Sequence, residues 1–149
     1  MSATVIESKL GFSRVVFAGI LAGLAGGVVF GMLMAMMGML PMIGAMIGQP
    51  NAFAGALVHL VISAGIGASY GTALLVLRRF PLSRGFAVIS GMMNGAFWWV
   101  AGALVLMPLM LGMSADVLKV GTTQWFSLMG HLIYGVVTGL VLVPLSRRL

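Results

Sequence analysis

Cysteine is absent from this chain, which excludes disulfides, thiol redox chemistry and thiolate metal sites at the outset. Acids are almost absent too, since Glu7 and Asp116 are the only carboxylates. No pair of acids can be assembled for general acid–base work, and no Ser–His–Asp arrangement either. Small four-span proton-coupled exporters rely on an acid within the membrane, and the apolar runs contain none. The glycines have neither the strand context nor the following lysine of a phosphate-cradling loop. These gaps point away from an enzyme.

Charge of either sign is scarce at 7% of residues, where a soluble domain carries about 25%. What fills the space is apolar. Hydrophobic residues make up 61% of the 149, and the mean hydropathy is +1.17. The net charge of +6 does not suggest nucleic acid, because the cations flank apolar runs and form no basic face. The partner implied is the lipid bilayer.

Four uncharged runs stand out: residues 15–40, 53–77, 85–111 and 124–146. Each exceeds the ~20 residues a helix needs to cross hydrocarbon. None shows the alternating polarity of a membrane barrel strand, and lipid tolerates little besides helices and closed barrels. The first run is longer than the ~7–15 apolar residues of a signal peptide, so it is expected to be a retained span. The expected fold is an all-α, four-helix membrane bundle forming one domain.

Two prolines and two glycines interrupt the chain at 41–50, a basic turn at 78–84, and a segment with Asp116 and Lys119 at 112–123. Ser114 is expected to cap a short turn there, and Trp125 to anchor the fourth span at the interface. One side of the bundle carries Lys9, Arg14, Arg78, Arg79, Arg84, Arg147 and Arg148, while the other carries only Lys119. This bias places both termini of the multi-pass chain in the cytoplasm.

The second half looks like a copy of the first. Aligning His59 with His131 matches His-Leu-Val-Ile-Ser-Ala-Gly-Ile-Gly67 to His-Leu-Ile-Tyr-Gly-Val-Val-Thr-Gly139, and Pro41 corresponds to Pro108. Residues 15–77 and 85–146 would then be parallel hairpins about a pseudo-twofold along the membrane normal. Small residues recur every fourth position: Gly19, Gly23, Gly27 and Gly31; Gly55, His59, Ser63, Gly67 and Gly71; Gly91 and Gly95; Gly135 and Gly139. Such stripes let helix backbones approach closely, which is what drives association in lipid. Asn94, inside the third span, is expected to hydrogen-bond across the bundle.

His59 and His131 interrupt these stripes at similar depth, about 10–12 Å inside their spans at ~1.5 Å per residue. An ionisable group within the membrane is a functional candidate. Two imidazoles at one depth could ligate a b-type haem, with Trp98 or Trp99 packed on its edge. The plainer alternative is that each hydrogen-bonds a neighbouring helix. Methionine is abundant, with 14 copies, several at helical spacing near one end of the bundle. Thioethers suit Cu(I), so Met39 and Met110 are candidate metal ligands with the histidines, although methionine is also an adaptable filler.

The Gly-His131-Leu-Ile-Tyr-Gly135 segment, its echo at His59, and the Met/Pro end of the first span resemble small four-span bacterial inner-membrane proteins. The resemblance implies the fold and brings no particular activity. The leading expectation is a non-enzymatic accessory or assembly subunit of a larger membrane complex, or a self-associating bundle. The alternative is a haem- or copper-binding protein for electron transfer or metal handling. A small-solute channel is a third reading that lacks polar lining residues.

Overall fold

The computed structural model describes residues 3–76 and 83–146, with side chains described for 11–75 and 83–145. Helices are the only regular elements among them: α1 (Ala3–Met36), α2 (Leu40–Ala45), α3 (Ala52–Val76), α4 (Arg84–Trp98), α5 (Met107–Met110) and α6 (Thr122–Ser146). A π-helical stretch, Trp99–Leu106, joins α4 to α5, and Ser114–Asp116 form a 3-10 turn. Four helices are long and apolar enough to cross a membrane: Gly11–Met36, Ala52–Leu75, Arg84–Met110 and Thr122–Leu145. The protein has the character of a multi-pass membrane protein.

Helix boundaries follow local chemistry. Asn51 Oδ1 accepts the Ala54 N–H at 2.9 Å to open α3, and Ser83 Oγ accepts the Phe86 N–H at 3.0 Å to open α4. At α6 the Gln124 side chain reaches back to the Gly121 N–H at 3.0 Å. The expected first span, 15–40, stops short at Met36. Gly38 takes φ +66° and lets the Met39 N–H close on the Met34 carbonyl at 2.9 Å, which ends the helix. Leu40 instead starts α2, with Pro41 in its first turn. Leu77, the expected end of the second span, and most of the basic turn lie outside the described residues.

The third span departs furthest from a single helix over 85–111. Pro108 has no N–H to offer the Leu104 carbonyl four residues earlier. Upstream the ladder has widened, with the Met107 N–H reaching the Gly102 carbonyl. The freed Leu104 carbonyl accepts the Leu118 N–H at 2.9 Å, from a loop that holds Leu118 at φ 59°. A left-handed leucine costs about 1–2 kcal/mol, so this brace is made against local strain. Ser114 caps nothing with its side chain; it is the first residue of the 3-10 turn. Asp116 and Lys119 pair at 3.1 Å on the surface.

The helices pack in the order α3, α1, α6, α4. In the first pair the backbones of Gly19 and Gly67 oppose each other, and Gly23 lies against Ser63 and Gly67. In the second pair Gly91 opposes Gly135, Gly95 opposes the His131 backbone, and Ala87 opposes Gly139. A side chain at most of these glycines would meet backbone, which cannot yield. The two registers coincide. Moving 68 residues along takes Gly19, Gly23 and Gly27 to Ala87, Gly91 and Gly95, and moving 72 along takes Ser63 and Gly67 to Gly135 and Gly139.

Between the pairs, α1 packs on α6. Gly26 fits beneath Tyr134 and Thr138, and Gly130 receives the ring of Phe30. No comparable packing joins α3 to the third span among the described residues. The positions that would make it, by the same shifts, are Asn94 and Trp98 opposite Val58, Ile62 and Ile66. Where one contact has Gly26 and Gly130, its counterpart has Asn94 and Val58. The counterpart positions thus carry more bulk. The two helices are tied by the Tyr70 hydroxyl, 2.7 Å from Ser90 Oγ, near the end of the bundle that carries the termini.

Candidate functional site

The gap left between α3 and the third span is a cavity of about 450 Å³. Its walls are almost wholly apolar. Val58, Ile62 and Ile66 line one side, and Trp98, Gly102 and Leu106 line the other. Ile62 is 39% exposed and Leu106 49% exposed, so the facing walls both continue to the outside of the bundle. At the end carrying α2 and the 111–121 loop, six methionines line it: Met34, Met39, Met42, Met46, Met107 and Met110. Met39, just before α2, and Met110, at the end of the third span, are thus brought to one cavity.

Deeper in, the cavity meets its polar groups. His59 is buried, and its Nε2 lies 2.9 Å from the Gly27 carbonyl on α1. A carbonyl only accepts, so Nε2 carries the proton and donates. His131 makes its bond within α6: Nδ1 donates to the Ser127 carbonyl at 2.8 Å, with Ser127 Oγ 3.4 Å away. The Tyr134 hydroxyl donates across the bundle to the Ser63 carbonyl at 2.8 Å. All three side chains line the cavity, together with Ser63 and Ser127.

The ring of Phe30 stands beside both imidazoles, edge-on, with centroids 5.3 Å from His59 and 4.9 Å from His131. It is held there by Gly130, whose missing side chain makes the space. A haem clasped between the two histidines would have to displace Phe30 and take His59 Nε2 from Gly27. His59 instead makes the plain hydrogen bond to a neighbouring helix anticipated as the alternative, whereas His131 bonds a carbonyl of its own helix. Among the described residues no group of three or more His, Cys, Asp or Glu side chains could hold a metal ion.

The remaining candidates fall into place around this centre. Trp98 lines the cavity and packs edge-on against Phe97. Trp99 turns away: its Nε1 donates to the Gln124 carbonyl at 3.0 Å, and its ring stacks 6.2 Å from Trp125. That places Trp99 beside the start of α6 rather than at mid-span. Gly31 faces the His59 ring, Gly27 faces the Ser63 side chain, and Gly71 lies against the Val15 carbonyl. Asn94 does not make the expected cross-bundle hydrogen bond. Its Nδ2 is buried without a partner. The π-helical wall was not foreseen, although the proline that frees Leu104 is visible in the sequence. π-Helical turns concentrate at functional sites.

Comparison with known proteins finds no matching family model, no matching curated protein and no matching solved structure.

Proposed function

We propose that the chain is a non-enzymatic, accessory membrane protein that holds a lipid-like amphiphile taken from the bilayer in the cleft between α3 and the third span. The cavity itself carries this reading. Its volume of about 450 Å³ falls within the roughly 300–1,000 Å³ of small-molecule sites, and its walls are apolar with a few convergent polar groups. Flexible methionine walls adapt to an irregular or variable guest. Among the described residues no carboxylate lines the site, which favours holding over transforming. The test is the lipid content of the chain purified in nanodiscs, beside Ala103→Trp, which fills the cavity. We expect a tightly held amphiphile that falls several-fold in the variant; identical profiles for the two would overturn the reading.

We place the protein in a bacterial inner membrane with both termini cytoplasmic. Arg14 and Arg84 lie toward the terminal end and Lys119 at the other, which supports this; Arg78, Arg79, Arg147 and Arg148 fall outside the described residues, as does the Lys9 side chain. We also take the halves as a parallel duplication, a reading supported by the shared contact register. An assembly role is supported by the third span, the most sparsely packed of the four, with 11% of its apolar window buried inside the bundle. Other membrane subunits or a second copy would cover it.

A soft-metal site is the second reading, favoured by the methionines gathered at one cavity with His131. Copper content after growth in copper decides it. Met39→Leu with Met110→Leu lowers copper retention if that site exists, and leaves it unchanged if the methionines only pack.

A further inference from the structure

We infer that the guest is an amphiphile whose head group is a hydrogen-bond donor, a hydroxyl above all, received by His131 Nε2. The inference rests on the cleft being a guest site and specifies what the site selects.

The protons of the polar cluster are already committed. His59 Nε2–H goes to Gly27, His131 Nδ1–H to Ser127, and the Tyr134 O–H to Ser63, all of them backbone carbonyls. No carboxylate lies within the spans to pair with an imidazolium, so both rings are neutral. Each neutral ring carries one proton, and its other nitrogen offers a lone pair. The imidazoles and the tyrosine therefore present acceptors to the cavity. The hydroxyls of Ser63 and Ser127 can turn either way.

The two imidazoles are not equivalent. His59 is fastened to a different helix, and Phe30 and Gly31 close over its ring. His131 is bonded only to its own helix, is half-buried, and has no hydrogen bond to Nε2. It is the acceptor free to take a new partner. In a hydrocarbon setting an acceptor without a donor is unfavourable, and a guest hydroxyl relieves it. A head group that only accepts, such as an ether, ester or ketone, leaves the lone pair unmet and adds its own. Discrimination of this kind arises where a site's polar groups are left unpaired by the wrong ligand.

The experiment uses the full chain in phosphatidylcholine nanodiscs and two photoreactive diazirine probes, a sixteen-carbon alcohol and its O-methyl ether. We expect the alcohol to label cavity residues about tenfold more than the ether, a difference equivalent to ~1.4 kcal/mol. In His131→Phe the preference disappears while ether labelling persists, and Ala103→Trp suppresses both probes. Equal labelling of the unsubstituted chain by alcohol and ether overturns the inference, whether or not the His131 variant folds. If that equal labelling is still suppressed by Ala103→Trp, the guest site stands and only its head-group selectivity is lost. If neither probe labels the cavity above lipid-facing positions, the guest reading fails with it.

Discussion

The α1–α6 contact and the gap between α3 and the third span occupy corresponding places in the chain, yet one is closed and the other open. At the closed contact, Gly26 and Gly130 remove side chains where Thr138, Tyr134 and Phe30 need room. At the open one, Asn94 and Val58 restore them, and Trp98 stands in for Phe30. In lipid, helices are held by close contact rather than by expulsion from water, so a few atoms of bulk decide whether two helices meet. The cavity is what remains when they do not. On the proposed reading of the halves as copies, the site depends on their differences as much as on their likeness.

The comparison breaks most visibly at Gly26. Gly26→Leu drives a side chain into Thr138 and the Tyr134 backbone and should destabilise the bundle by about 3 kcal/mol or more, measured by steric trapping in bicelles. Asn94→Leu, at the counterpart, should instead stabilise by about 1 kcal/mol, because it removes a buried donor that has no partner. A smaller effect than at Gly26 is expected at Gly130→Val, about 1–3 kcal/mol as Phe30 is pushed from its seat, against less than ~1 kcal/mol for Val58→Ala. Equal costs within either pair would remove the distinction between closed and open contacts. A last substitution sharpens the picture on the open side. Leu118→Gly keeps the N–H that braces Leu104 while relieving the left-handed backbone, and should raise stability by about 1 kcal/mol in the same assay.

Much of the fold was legible because its causes are local. Long uncharged runs must be helical in lipid, and glycines at every fourth position mark the close contacts, as Gly19, Gly67, Gly91 and Gly135 do. The histidines could be recognised as neighbours of one centre from their shared depth. The cavity could not, because it arises from an interface that fails to form, and no pattern within one helix reports on that. Asn94 shows the same limit. Its polarity suggested a cross-bundle hydrogen bond, but the helix that would supply the partner stands off. Trp99, a candidate to pack on a haem edge, instead reaches the start of α6 and donates to the Gln124 carbonyl. The π-helical stretch needed a second fact beyond Pro108, the loop that lends Leu118 to the freed carbonyl.

The most direct test is disulfide cross-linking in native membranes, made clean by the absence of native cysteine. Gly26→Cys with Thr138→Cys spans the closed contact, and Asn94→Cys with Ile66→Cys spans its counterpart. A disulfide needs Cα atoms within about 7 Å, so the first pair should bridge readily and the second should stay reduced. Equally fast bridging at positions 94 and 66 would mean that α3 and α4 close on each other, and it would contradict a cleft held open between them.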